Sequence, residues 1–532
     1  MSAKKAAFAF LIVLLLGCSV EAQVPAGGDS KIKIDPAMFL ELKECRNIMM
    51  AIGDRIWKGW DLSKMPILFY RPGVQDILIG YPHQPAGFQP LTGFNPLPGE
   101  TVYVRDGKTF IGFDGQNTVT DIDGVKTLVV ADTFSNQRNQ IRGVFQGRDP
   151  DFALKWLENW NFLPEDPVNQ IATILHEGFH AYQNLQAPDK NPNELAAIDY
   201  PLLDVLNNSY WGLEAAIIQG ALTSGASDAK LDKIKELVAV RLERRAALKK
   251  ECIEYEDLAE YLEGLAKYVE YKFLISARGL RPLPELFVLN GFSGYGDNLK
   301  ERLADRFKQM KDIIAASVDV TGNKFGVGPL RFRLYSSGAA LALLLDDVDP
   351  GWKTDIFQSG VTLFDKLQRV VRLDEAERLR LVARAKSEYG FEDLRKDKAK
   401  FEVEGRQALT DKLRGILGTK ETLVVVDYSE LGEIAWIAFT PFGVTKVAEN
   451  LIIYDLIPIS VKFKGSGEFK CHRAIAVLVD KAKKSLSFAV KTSSRTLVGQ
   501  KGDTISVDEF TLTGVRFDAA SAGNTVNIKL LK

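Results

Sequence analysis

The sequence predicts an α+β multidomain fold with a β-rich N-terminal region, a mainly helical middle domain and a C-terminal all-β domain. Asp-Gly pairs, which are typical of hairpin turns, separate β-type segments up to about residue 135. Apolar residues at helical spacing dominate residues 150–418. Short apolar runs and Gly-rich turns follow from there. We therefore expect an N-terminal α/β region over 23–149, a helical domain over 150–418 and a β domain over 419–532.

The first 22 residues are expected to be an export signal and not part of the fold. Two lysines precede an apolar stretch, 6–16, that is too short for a usual membrane span. Residues 15–18 (Leu-Leu-Gly-Cys) resemble a bacterial lipobox, which would make Cys18 a lipidated N-terminus. Residues 20–22 instead resemble an ordinary signal-peptidase site. Both alternatives predict export, to the periplasm, to the cell surface as a lipoprotein, or into the medium.

Composition excludes several partners. The net charge is −1, so no overall field directs the chain to nucleic acid or to an anionic membrane. Membrane attachment is expected only through a lipid on Cys18. The four cysteines show no C-x-x-C spacing, which argues against cysteine-ligated zinc. One disulfide is possible after export, and the sequence leaves its pairing open.

In the N-terminal region, a short helix over 36–50 should lead into strands over 66–70, 77–80 and 127–132. The Asp-Gly pairs expected to form turns are 106–107, 114–115 and 123–124. The predicted helices of the middle domain are 168–185, 207–222, 228–251, 255–276, 297–316, 334–346 and the highly charged stretch 374–417. The predicted strands of the last domain are 422–426, 451–454, 475–479 and 486–490.

Residues 176–180 read His-Glu-Gly-Phe-His, an H-E-x-x-H motif inside a predicted helix. His176 and His180 are four apart and share one helix face, so both imidazoles can reach one Zn²⁺. The carboxylate of Glu177 is then placed to take a proton from an attacking water. The motif predicts one zinc ion per chain with Glu177 as general base. The alternative is a buried structural histidine pair.

Catalytic zinc usually has three protein ligands, and two carboxylates compete for the third position. Glu214 stands alone in an otherwise apolar helix, where it needs a partner, either as a ligand or as a carboxylate that orients a ligand histidine; the alternative is a glutamate in the first turn or at the surface. Glu263 lies roughly 120° from the apolar stripe of its own helix. Helical periodicity groups it with Glu256, Glu260 and Glu270 and favours a solvated acidic face. The residues alone leave the choice open.

Two further segments resemble a known family. Residues 263–271 (Glu-Gly-Leu-Ala-Lys-Tyr-Val-Glu-Tyr) resemble the E-G-F-A-x-Y-V-E-Y segment of the aminopeptidase-N-like gluzincins, and 335–339 (Tyr-Ser-Ser-Gly-Ala) resemble their Y-x-K-G-A segment. The resemblance is local, over about residues 165–350. It implies a helical, gluzincin-like catalytic domain with Glu263 as third zinc ligand and Tyr335 as a hydrogen-bond donor to the oxyanion. It further implies a zinc metallopeptidase that hydrolyses peptide or protein substrates.

The chain also departs from this family. The separation of His180 and Glu263 is much longer than the family's, the G-x-M-E-N segment is absent, and Ser337 replaces a lysine. Aminopeptidase activity is therefore not implied. Arg331 and Arg333 are candidates to bind a substrate carboxylate, or are surface ion-pair partners.

Three functions stay open at this stage. The first is an exported zinc metallopeptidase. The second is a non-catalytic surface-binding lipoprotein on a peptidase scaffold. The third is a metal-dependent hydrolase of another amide.

Overall fold

The structure is a computed structural model. It describes residues 32–92, 97, 99–107, 117–132, 166–225, 227–316, 326–439, 443–455, 458–465 and 467–532. The proposed export signal with Cys18 and the Asp-Gly pair at 114–115 lie outside these residues. The fold is α+β, with N-terminal strands, a central helical region and C-terminal sheets, as the sequence predicts.

Contacts along the chain define two compact units built from alternating segments. The first unit comprises Met1–Lys190, Leu262–Lys308 and Lys353–Gly360. The second unit comprises Asn191–Tyr261, Gln309–Trp352 and Val361–Lys532.

The first unit contains a mixed sheet that follows helix α1 (Ala37–Ile56). Within the described residues the sheet has the strand order β3-β4-β2-β1-β6-β5. Strands β1 and β6 pair in parallel, whereas the other pairs are antiparallel. The strands are β1 (Ile67–Arg71), β2 (Gln75–Ile79), β3 (Gln89–Pro90), β4 (Val102–Asp106), β5 (Thr118–Ile122) and β6 (Val125–Ala131).

The turn between β5 and β6 confirms one predicted hairpin. Asp123 and Gly124 both have positive φ, 44° and 83°. This is the backbone that two-residue hairpin loops require, and Asp-Gly adopts it at little cost. The turn aligns Ile122 with Val125 across the antiparallel pair.

Helix α2 (Pro167–Gln186) carries the H-E-x-x-H motif. The Asp166 side chain accepts a hydrogen bond from the Asn169 amide, and Pro167 occupies the first turn, so the helix begins with a regular N-cap. Helix α2 packs against α1, β5 and β6. Gly178 permits close packing, because a Cβ there would lie 2.4 Å from Leu62 Cδ1.

The remaining helices occupy the middle of the chain and its last segment. They are α3 (Glu194–Ile198), α4 (Val205–Thr223), α5 (Ser227–Arg245), α6 (Lys250–Ala259), α7 (Leu265–Ser276), α8 (Gly296–Ala316), α9 (Val327–Val348), α10 (Leu363–Val371), α11 (Glu375–Glu388), α12 (Phe391–Leu417) and α13 (Ser494–Val498). A π-helical segment, Glu260–Gly264, joins α6 to α7.

The C-terminal part is all-β apart from α13, as the sequence predicts. In the part of the chain that the structure describes, one sheet has the order β17-β18-β7-β14-β13-β10-β9 and the other β15-β16-β12-β11-β8. Phe488 of the first sheet contacts Phe469 and Phe510 of the second, with ring centroids 5.0 and 5.1 Å apart. The two sheets therefore pack face to face around an aromatic core. Their strands are β7 (Thr422–Asp427), β8 (Ile434–Ala438), β9 (Val444–Ala448), β10 (Leu451–Tyr454), β11 (Ser460–Phe463), β12 (Glu468–Cys471), β13 (Val477–Asp480), β14 (Ser485–Val490), β15 (Thr504–Ser506), β16 (Phe510–Thr513), β17 (Arg516–Ala522) and β18 (Thr525–Leu531).

The described cysteines, Cys45, Cys252 and Cys471, are buried free thiols. The disulfide that the sequence left open therefore does not form among these three. None of the helices in the described ranges is long and apolar enough to cross a bilayer.

Candidate metal centre

The two histidines of the motif converge on one point. His176 and His180 lie one turn apart on α2, and their Nε2 atoms are 3.1 Å apart. Their rings meet nearly edge to face, at an interplanar angle of 82°. Both Nε2 atoms therefore face the same small volume.

Glu263 brings a carboxylate to this point. Its Oε2 lies 3.2 Å from His180 Nε2 and 3.9 Å from His176 Nε2. In tetrahedral zinc sites, where metal–ligand bonds are about 2.0–2.1 Å, neighbouring ligand atoms are about 3.3 Å apart. The three side chains form a group able to hold a metal ion, with ligand atoms within 4.8 Å of one another. The donor set and its spacing fit a zinc ion with three protein ligands.

Glu263 lies in the π-helical segment Glu260–Gly264, where an additional residue per turn changes the phase of the helix. The periodicity argument for a solvated acidic face is wrong, because these four carboxylate residues are all buried. Their relative exposures are 0% for Glu256, 1% for Glu260, 7% for Glu263 and 7% for Glu270. Each meets a cationic or imidazole side chain, as a buried carboxylate requires.

Glu270 orients the first histidine. Its Oε1 lies 2.8 Å from His176 Nδ1, so when Nδ1 carries the proton, His176 Nε2 presents its lone pair and can bind a metal ion. Its Oε2 accepts hydrogen bonds from Lys267 Nζ at 2.8 Å and Arg306 Nη1 at 2.5 Å. Burial alone would raise the pKa of Glu270, but the charges of Lys267 and Arg306 hold it well below the usual range. Glu270 is therefore a carboxylate kept ionised behind a candidate ligand.

The predictions for Glu214, as a ligand or as the orienting carboxylate, are wrong. Glu214 is fully buried in the second unit and pairs with Arg241 at 2.8 Å and Arg244 at 2.6 Å. Two guanidinium groups from α5 thus provide the partner that its apolar helix lacks. The sequence did carry a signal for Glu270: it follows Glu263 by seven residues, two helical turns, and so lies near the same helix face.

The second histidine is oriented within its own helix. His180 Nδ1 lies 3.0 Å from Gln183 Oε1, and Gln183 is buried. Burial lowers the pKa of His180, but the charge and hydrogen bond of Glu263 outweigh it and raise this pKa to about 9.

Glu177 is half-buried beside the two histidines on α2. Burial raises its pKa, and although His176 and His180 oppose this change, the charges of Glu263 and Glu270 add to the increase. A carboxylate whose pKa is moved toward neutrality is a more effective proton acceptor and donor.

Helix α8 stabilises the start of α2 as well as Glu270. Arg302 pairs with the N-cap residue Asp166 at 2.7 Å. One turn later, Arg306 donates to Asn169 Oδ1 at 2.9 Å in addition to its bond with Glu270. The same helix thus positions both the metal-binding helix and the carboxylate behind His176.

Tyr335 lies on α9 in the second unit, and its role stays a prediction. It is half-buried, with its hydroxyl 3.4 Å from Arg331 Nη2 and its ring next to Phe332. Arg331 pairs with Glu194. Arg331 and Arg333 are buried, so the expectation of surface ion pairs is wrong for both.

No family model, no curated protein and no solved structure matches this chain.

Proposed function

We propose that this protein is an exported zinc metallopeptidase, with His176, His180 and Glu263 as the metal ligands. The observation that carries the proposal is the convergence of three ligand atoms, two of them from an H-E-x-x-H helix, within 4.8 Å. The orientation of His176 by the ionised carboxylate of Glu270 supports it further, since ligand histidines usually donate their second N–H to such a group.

A zinc ion bound there would act as a Lewis acid that acidifies water and polarises the substrate carbonyl. Glu177 accepts the proton of the attacking water and returns it to the leaving amine. Tyr335 is proposed as a donor to the developing oxyanion, on the basis of the family resemblance. Loss of one such donor typically lowers kcat by about 10²–10³-fold.

We propose a peptide and not a small amide as substrate, because β5 lies at the edge of its sheet within the described residues. Among the described residues β5 pairs with β6 alone, and α2 packs against both strands. A strand with one free edge can pair with the backbone of an extended peptide.

The test measures zinc by elemental analysis and hydrolysis of an unstructured protein such as casein. We expect about one zinc per chain in the wild type, loss of both zinc and hydrolysis in Glu263→Ala, and retained zinc without hydrolysis in Glu177→Gln. Glu254→Gln, at an exposed position on α6, is the matched control and should behave as wild type.

Two results would reject the proposal. A wild type that binds no zinc would remove the metal centre. Stoichiometric zinc without peptide hydrolysis would instead favour the non-catalytic surface-binding protein, or a hydrolase of another amide if a small amide is cleaved.

A further inference from the structure

Arg333 is a buried cation with an unused hydrogen-bonding edge. It lies on α9 of the second unit and is 2% exposed. Its Nη1 donates to Asn208 Oδ1 at 3.1 Å, and its guanidinium carbon lies 5.0 Å from the centroid of the Trp211 ring. Its Nε and Nη2 are buried and have no hydrogen-bond partner in the described part of the chain.

The two unpartnered nitrogens form one geometric unit. Nε–H and Nη2–H point outward from the same edge of the planar guanidinium. In arginine this edge can bind an anion through two parallel hydrogen bonds. Nη1, on the opposite side, is already engaged by Asn208. Asn208 and Trp211 therefore hold the guanidinium in one orientation while its anion-binding edge stays available.

No carboxylate among the described residues forms an ion pair with Arg333. Arg241, Arg244 and Arg245 all form ion pairs with buried glutamates, whereas Arg333 makes none with any described residue. Burial lowers the pKa of Arg333 to about 10. Tyr200 is the largest influence that opposes this change, the positive charge of Arg244 adds to it, and Glu256 and Glu214 oppose it more weakly. An unpaired buried cation is costly, and a bound anion would remove most of that cost.

A second buried cation lies within electrostatic range. Lys398 of α12 is 8% exposed, and its ion-pair partner is the exposed carboxylate of the adjacent Asp397, at 3.3 Å. Burial lowers the pKa of Lys398, although Asp397 opposes this change, and the positive charge of Arg333 lowers it further. Helices α9 and α12 thus each contribute a cation to this part of the second unit.

We propose that the Nε–Nη2 edge of Arg333 binds a small inorganic anion, with chloride as the simplest case. Full burial of this edge excludes a polymer or a peptide terminus, and with them the substrate carboxylate that the sequence offered as a partner of Arg333. The site is structural: the anion would satisfy the two unpartnered nitrogens of Arg333, and it is independent of the proposed zinc chemistry. An anion that binds only the folded state stabilises it by mass action.

The test follows thermal unfolding while sodium chloride replaces sodium gluconate at constant ionic strength. Wild type should show a saturable rise in Tm, of the order of 5 °C at a hundredfold excess of chloride over its Kd. Arg333→Met should lose the chloride dependence. Arg395→Met removes an exposed cation from α12 and should retain it. The titration is repeated with a chelator present, so that the result does not depend on zinc.

If Arg333→Met does not fold, a second variant and a bromide soak of crystals test the same site. Lys398→Met should shift half-saturation to at least about tenfold higher chloride, and bromide soaked into crystals should give an anomalous peak against Arg333 Nε and Nη2. The proposal is overturned if wild type shows no saturable chloride effect, if the variants respond as wild type does, or if only ordered water occupies this edge.

Discussion

The carboxylate of Glu270 should determine how tightly the metal centre binds zinc, and Glu270→Gln tests this role. The amide retains an oxygen that can accept the His176 Nδ1–H bond now formed at 2.8 Å. Its nitrogen, however, replaces Oε2, which accepts hydrogen bonds from Lys267 Nζ at 2.8 Å and Arg306 Nη1 at 2.5 Å. Because an amide nitrogen is itself a donor, three hydrogen-bond donors would then face one another. The variant therefore removes a negative charge and disturbs the orientation of a candidate ligand.

Changes to such partners of metal ligands typically cost 10–100-fold in metal affinity. We expect Glu270→Gln to weaken zinc binding by about tenfold, or about 1.4 kcal/mol, and Glu270→Ala by about a hundredfold. Arg306→Gln should have a smaller effect, because Lys267 still pairs with Glu270.

The assay is competition for zinc with a chromophoric chelator, well below the Tm of each variant. Affinity is the informative readout, because a purely structural defect would lower Tm and leave the zinc affinity of the folded protein unchanged. Glu254→Gln serves as the control. If Glu270→Gln binds zinc as tightly as wild type does, the orienting role assigned to Glu270 is wrong.

Two further predictions concern stability. Gly178→Ala should lower stability by about 1–3 kcal/mol, because its methyl group would lie 2.4 Å from Leu62 Cδ1; calorimetry should show that Leu62→Ala in the same chain recovers part of the loss. Glu256→Gln should cost about 3–5 kcal/mol at pH 7, because it leaves the buried Arg244 and Arg245 without their shared carboxylate. Burial raises the pKa of Glu256, but Arg244 and Arg245 outweigh it and lower this pKa to about 2, so its stabilisation is complete above about pH 4.5 and is lost as the pH falls toward 2. Urea unfolding between pH 7 and 2.5 should show this loss in wild type and a flatter profile in Glu256→Gln; parallel profiles would contradict the assignment.

Local features of the chain could be predicted because their causes are contiguous in sequence. The Asp123-Gly124 turn follows from the ability of these two residue types to adopt positive φ. The pairing of His176 with His180 follows from helix geometry alone, since residues four apart share a face. The order of strands, helices and a final β domain likewise follows from local periodicity and turn residues.

The partners of the buried charges were decided by the tertiary structure. Glu214 and Glu270 are both acidic residues on helices, yet one meets Arg241 and Arg244 and the other meets His176, 94 residues away in the chain. Helical periodicity could not foresee this, because a buried carboxylate is stabilised by whichever cation or imidazole the fold brings to it.

The sequence by itself determined the H-E-x-x-H helix and the candidate carboxylates. Helical periodicity did not favour Glu263 and the local resemblance did; only the tertiary structure brings its carboxylate to His176 and His180, from a π-helical segment that changes the phase of the helix. The physical reason is one of range: backbone conformation depends mainly on neighbouring residues, whereas the compensation of buried charge depends on residues that are distant in the chain and adjacent only after folding.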